Sequence, residues 1–430
     1  MFINDLGLLY HKSIALYPMF SVQQAEEIII GLVQPLEETE VVELSSAVGR
    51  VLATPAIASL DFPHWDNSAM DGYAVRFADV ENCERAQPAV LNIVEEIPAG
   101  YQPQYPIQAG LAARIFTGAM MPPGADTVVM QEQTQLESGN RVSILAAPTQ
   151  LGEFVRHRGA FYQAGTPLLP ARTILNPPEI AVLAAAQCTQ LSVYRRPRVA
   201  ILSTGNELVM PEQPLQSGQI VDSNQYALAA FVKQMGAVPI LLGIVPDEPK
   251  KLKEAIAQAV NSADIVLSTG GVSVGDYDYV EQILAELAAC IHIRAVAVKP
   301  GKPLTVATFS QNSSVLFFGL PGNPVSALVS CWRFVQPTLK KLAGFPESAC
   351  KPAFVQARSR HQLRSDGKRE TYLWGRLHLV AGIYEFELAG GSHSSGNLIN
   401  LVQTNGLAVL PTGETSISPG ELVQVLAIES

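Results

Sequence analysis

The sequence predicts a multidomain protein of class α/β plus β: a central, mostly parallel α/β domain, a β-rich inserted domain, a mixed N-terminal domain and a small C-terminal β-barrel domain. Two patterns and the length carry this reading. Between residues 191 and 345, apolar runs of strand length alternate with helical repeats, as in a sheet covered on both faces. Residues 349–430 instead show short alternating segments separated by Gly, Asn, Ser and Pro, the pattern of a small barrel. A chain of 430 residues also exceeds the ~100–200 of an ordinary domain.

From the N-terminus, SVQQAEEIIIGLV reads as a helix, followed by the periodic VVELSSAVGRVLA. Residues 61–148 are rich in Pro and Gly, with β-like runs PAVLNIVEEI, GLAARIF, DTVVMQE and RVSILA. PPEIAVLAAAQ has prolines in its first turn, as helix starts allow. The economical arrangement inserts the β-rich piece 61–148 into a mixed domain made of 21–60 and 149–190. The α/β domain, 191–345, follows with strands VAILS, PILLGIV, DIVLS, HIRAVAV and VLFFGL. Its helices are SNQYALAAFVKQMG, EPKKLKEAIAQAVNSA, the segment from EQILAELAA, and a long one over PVSALVSCWRFVQPTLKKLAG. The barrel domain, 349–430, contains AFVQARS, TYLWGRLHLV, IYEFELA, GLAVLP and ELVQVLAIES.

Composition narrows the function. With 48% hydrophobic and 16% charged residues the chain has apolar surface enough for folded cores. The net charge of −10 opposes a polyphosphate backbone, so no nucleic-acid partner is expected, while a small anion remains compatible with locally focused cations. No apolar stretch reaches the roughly 20 residues of a membrane span, and MFINDLGLLY lacks a basic cluster before its apolar part; a cytoplasmic chain is the expectation. The five cysteines are odd in number and contain no CxxC, which favours inert thiols. No HxH or HExxH spacing supports zinc, and neither GxSxG nor a P-loop occurs.

In a parallel sheet, ligands bind beyond the carboxyl ends of the strands. STGNEL, IVPDEP, STGGVSVGDYD and GLPGNPVSA all occupy such positions. In LSTGGVSVGDYDYV, Gly270, Gly271 and Ser273 suit close approach of an anion, and Asp276 and Asp278 suit a divalent cation or a helix cap; a tight connection is the alternative. VKPGKP frames Lys299 and Lys302 with prolines after a strand, which favours oxyanion binding over an exposed turn. Gly322 and Asn323 leave N–H groups at a helix start, with or without a ligand. DFPHWDNSAMDGYAVR reads by itself as an Asx-rich loop, and Thr117 and Gly118 of TGAMMPPGA are a weak signal.

Taken together, DNSAMDGYAVR, TGAMMPPGADTVV, RVAILSTGNELV, STGGVSVGDYDYV, KPGKP and GLPGNPVSA occur in the order found in molybdopterin molybdenumtransferases, and the chain resembles that family from about residue 21 onward. The family is also similar to the C-terminal domain of gephyrin. The resemblance implies an elongated homodimer that inserts molybdenum from molybdate into adenylylated molybdopterin and releases AMP with Mg2+. It implies catalytic and metal-binding roles for Asp71, Glu207, Asp247 and Asp278. It implies substrate binding by Thr117, Lys299 and Lys302, and by Arg369 and Ser394 or Ser395 of the tail motifs KRETYLWGR and GSHSSGNL. The active site is expected between subunits, with Asp71 and Thr117 acting in trans. Many members read STGDEL where this chain has Asn206, which removes a carboxylate from that position. Molybdopterin adenylyltransferase and a gephyrin-like dimeric scaffold are the alternatives; the first needs neither DNSAMDGY nor the β tail, and the second needs no cleft acids and lysines.

Overall fold

The structure is a computed structural model that describes residues 19–271, 279–309 and 312–428. It divides into two compact units, one formed by residues 1–40 with 194–430 and the other by residues 41–193.

The first unit is built on a six-stranded sheet in the order Val238–Val245, Arg198–Thr204, Ile265–Thr269, Asn312–Leu320, Pro303–Phe309, Ala289–Ala295. The first four strands are mutually parallel, and the last two join antiparallel. Side chains alternate between two buried faces, as the strand period demands. Val199, Ile201, Ile265 and Leu267 face one core, while Ala200, Leu202 and Val266 face the other. The helix Asn224–Gln234 covers the first face with Leu228, Phe231 and Val232; Pro249–Ser262 covers the second with Leu252, Ile256, Ala259 and Val260 at helical spacing. PLTVATF, absent from the sequence-derived strands, forms Pro303–Phe309 as the hairpin partner of Asn312–Leu320.

Two further differences have local causes. The helix expected over residues 324–344 runs as Pro324–Ser330 and Gln336–Leu342 joined by a π turn, Cys331–Val335. Pro337 cannot donate an N–H into the ladder, and the widened turn absorbs that loss. The sequence pattern groups the helix Val22–Leu32, capped reciprocally by Ser21 and Gln24, with residues 149–190. Its apolar stripe of Val22, Ala25 and Ile29 instead shares a core with Leu339 and Leu342 of the first unit.

The C-terminal region closes into a five-stranded barrel: Glu370–Val380 pairs with Ile383–Leu388, then in turn Phe354–Ser359, Leu422–Ala427 and Gly406–Leu410, which returns to Glu370–Val380. Ala357, Leu373, Phe386, Ala408 and Val425 fill the barrel. The alternate positions Tyr372, Trp374, Leu407 and Val409 face outward into the α/β core, so barrel and sheet share one apolar seam.

The second unit contains a mixed six-stranded sheet ordered Thr127–Met130, Gly72–Val75, Leu111–Ile115, Ala89–Ile97, Arg141–Ile144, Thr134–Glu137. Tyr73, Val75 and Val129 lie on one face, and Ala74, Ala113 and Val128 on the other. A smaller core holds Leu52, Leu175, Leu183 and Val193 around the helix Pro177–Ala185. Among the described residues, no helix is long and apolar enough to cross a membrane.

Candidate active site

The parallel strands of the first unit deliver their carboxyl ends to one edge of the sheet. Register sets Ser203 opposite Thr269, and Thr269 Oγ1 donates to Ser203 Oγ at 3.1 Å. Just beyond, Gly270 passes so near Thr204 that a Cβ would lie 2.3 Å from its carbonyl oxygen, at a φ of +84° that L side chains rarely adopt. Gly322 is adjacent: a Cβ there would be 3.8 Å from Gly270 Cα. Asn224 Nδ2 fixes this second glycine turn by donating to the Gly322 carbonyl at 2.8 Å. Bare backbone therefore lines the edge where an anion is favoured by helix starts.

Acidic groups flank one side of this backbone. Asn206 N–H donates to Asp247 Oδ2 at 3.3 Å, and Asp247 N–H donates back to Asn206 Oδ1 at 3.2 Å. Asp247 is half-buried, whereas Glu207 is exposed. The Glu207 carboxylate folds over Gly205, where a Cβ would meet Oε2 at 2.5 Å. Ser273, Asp276 and Asp278 lie outside the described residues. Among the described residues, no three His, Cys, Asp or Glu side chains form a group able to hold a metal.

Cationic groups gather where the barrel meets the KPGKP turn. Val298–Lys299 pairs in parallel with Glu370 and Thr371, and Arg369 Nη1 donates to the Val298 carbonyl at 3.1 Å. A Cβ on Gly301 would lie 3.1 Å from Ser330 Oγ, so the turn is pressed onto the helix Pro324–Ser330. Lys299 Nζ donates to Asp366 Oδ2 at 3.0 Å, and the ammonium holds that carboxyl below the usual range. Lys302 is exposed. Ser394 is exposed as well, but it is the carbonyl of Ser395 that accepts from Val325 N–H, at 3.2 Å, at the helix start following Asn323.

The second unit carries a separate polar clasp. Asp71 Oδ1 accepts from Thr117 N–H and from Thr117 Oγ1, each at 2.7 Å, and these bonds hold its carboxyl below the usual range. Both residues are exposed. Gly72, the first residue of the strand behind them, lets that strand pass close to its neighbour, because a Cβ would sit 2.0 Å from the Val129 carbonyl oxygen. The neighbouring aspartates have internal duties: Asp61 accepts from Arg158 Nε at 2.6 Å and Ala164 N–H at 2.8 Å, and Asp66 accepts from Arg158 N–H at 2.7 Å.

Comparison with known proteins decides the family. Residues 20–186 match the MoeA N-terminal region (domain I and II), 200–341 a probable molybdopterin binding domain, and 356–428 the MoeA C-terminal region (domain IV). A molybdopterin molybdenumtransferase from a Nostoc species is 64% identical over 96% of this chain and 94% of its own length. The chain belongs to the molybdopterin molybdenumtransferase family. A Haemophilus influenzae molybdopterin molybdenumtransferase is 32% identical over 95% of this chain and 98% of its own. The crystal structure of a molybdopterin biosynthesis moeA protein from Pyrococcus horikoshii superposes with a TM-score of 0.79 at 29% identity, covering 95% of this chain and 100% of that one.

Of the positions singled out in the sequence, whether by their loop chemistry or by the molybdenumtransferase resemblance, Glu207, Asp247, Gly270, Gly271, Gly322, Asn323, Lys299, Lys302 and Arg369 lie along one edge of the first unit, with Ser394 in the adjoining loop. Asp71 and Thr117 pair in the second unit. Sequence reasoning overlooked Asn224 and Asp366. Asn224 sits in VDSNQ at a helix start, and Asp366 in RSDGK before a strand; both are positions where an Asx side chain commonly bonds nearby backbone, which is the signal that could have flagged them.

Proposed function

We propose that this chain transfers molybdenum from molybdate into the dithiolene of adenylylated molybdopterin, with release of AMP, as a cytoplasmic homodimer that uses Mg2+. What supports this reading, beyond the family, is one arrangement. A glycine-lined sheet edge has acids at one side, Asp247 and Glu207, and cations at the other, Lys299, Lys302 and Arg369. Oxyanions are favoured by the ammonium groups, while hard carboxylate oxygens suit a magnesium ion that keeps most of its waters.

Asp247 and Glu207 fit Mg2+ by donor type and by their access to solvent, and they would hold it together with Asp278. When bound, the ion would neutralise charge developing on the phosphates. The protein's own residues do the rest. Lys299 and Lys302 hold molybdate, Gly270, Gly271 and Ser273 admit the phosphates, and Gly322, Asn323 and Ser394 line the pterin side. Asp71 and Thr117 act on the site of the other subunit.

The test incubates purified protein with adenylylated molybdopterin, Mg2+ and molybdate, then follows AMP release and activation of a molybdenum apo-enzyme. Molybdate-dependent AMP release is expected, lost in Asp278→Asn without loss of fold. AMP release that ignores molybdate would overturn the reading.

A further inference from the structure

We propose that Asp366 is a positioning residue for the oxyanion site, fixing the Lys299 ammonium where molybdate binds. This rests on the reading of Lys299 and Lys302 as molybdate ligands given above.

Both ends of the Lys299–Asp366 pair stand on anchored backbone. Lys299 is held by its pairing with Thr371. The turn that carries Asp366 is tied at every residue. Ser365 N–H donates to the Thr415 carbonyl at 2.8 Å, Gly413 N–H to the Gly367 carbonyl at 2.8 Å, and Gly367 N–H to Ser365 Oγ at 3.0 Å. The Ser365 hydroxyl also meets Thr371 Oγ1 at 2.8 Å, which ties the turn to the same strand that pairs with Lys299. Gly367 has φ +68°, and a Cβ there would touch Thr415 Cγ2 at 3.0 Å, so the turn has little room to shift.

The carboxylate is divided between two tasks. Oδ1 accepts from Lys368 N–H at 3.0 Å, which orients the group, and Oδ2 accepts from Lys299 Nζ at 3.0 Å. An ammonium has three donors, so the ion pair leaves two for an anion. The pair is exposed, with side chains 44% and 36% accessible, and exposed pairs contribute little to folding. Its effect is on where a flexible four-carbon side chain spends its time. Without Asp366, Lys299 regains rotamer freedom that molybdate would have to remove on binding.

The measurement is the KM for molybdate at saturating adenylylated molybdopterin, with equilibrium dialysis of labelled molybdate as a second readout. Asp366→Asn should raise both by about five- to tenfold with kcat within twofold, and Asp366→Glu should fall between Asn and wild type. In a double-mutant cycle, Asp366→Asn should add nothing on a Lys299→Gln background, since its action runs through that lysine. Molybdate affinity equal to wild type in Asp366→Asn would overturn the proposal by leaving the carboxylate no effect on binding, and tighter affinity would overturn it by making the carboxylate a repelling charge; so would additive losses in the cycle. If wild type releases no AMP, the function above fails instead, and dialysis still decides the role of Asp366.

Discussion

The acidic and cationic sides of the sheet edge are assembled by different means. Asn206, Glu207 and Asp247 follow two adjacent parallel strands, so strand register alone brings their loops side by side. Lys299 and Arg369 are 70 residues apart in sequence: Lys299 lies in the turn that leaves the α/β strand Ala289–Ala295, and Arg369 just before the barrel strand Glu370–Val380, the two joined by a short parallel pairing and an outward-facing apolar seam. The acidic side should therefore tolerate damage to the barrel, while the cationic side should not.

Disrupting the seam should do the most damage. Trp374 is 1% exposed between barrel and sheet, and Trp374→Ala should cost about 3–5 kcal/mol in urea unfolding. Variant protein that remains folded should bind molybdate weakly yet keep its response to Mg2+. Equal loss of both would erase the contrast.

Charge removal at each side sharpens it. Asp247→Asn should lower kcat on the order of a hundredfold and raise the Mg2+ requirement, as expected for a lost electrostatic group at a reacting centre. Lys302→Gln should raise the molybdate KM about tenfold, the scale of one charge-assisted hydrogen bond, with the Mg2+ requirement unchanged. Initial rates over a grid of both ions separate the two. Asn206→Ala removes the acceptor for Asp247 N–H and should cost about 1 kcal/mol or less, read as a severalfold loss of activity.

The smallest effect concerns the clasp in the second unit. Thr117 holds the Asp71 carboxyl below its usual range, so the clasp stabilises fully above the ordinary carboxylate value of about 4 and fades as pH falls through the lowered one. Thr117→Val removes the hydroxyl but not the N–H donor. Acid unfolding should then begin at a slightly higher pH, visible by circular dichroism against wild type.

Much of this was legible in one dimension. The alternation of VAILS and DIVLS with helical repeats announced a covered parallel sheet, and motifs at strand ends marked its carboxyl edge, because strand and helix periods are local properties of the chain. The DFPHWDNSAMDGY stretch was less transparent. Asp61, Asp66 and Asp71 look alike in sequence, yet two staple the loop to Arg158 and one engages Thr117. Spacing does not distinguish them, since each partner lies more than 40 residues away.

Local pattern in the chain was enough to reveal most element types, though not the strand Pro303–Phe309 or the π turn Cys331–Val335, along with the barrel's alternation, the family and the set of chemically capable side chains. Folding in three dimensions was needed to show that Val22–Leu32 joins the core of the first unit, that Ser395 rather than Ser394 supplies the carbonyl at the helix start, and that Asp366 engages Lys299. The distinction is one of range: backbone geometry and apolar periodicity act between near neighbours, whereas these pairings are selected by packing and hydrogen bonding between segments that meet only once the chain has folded.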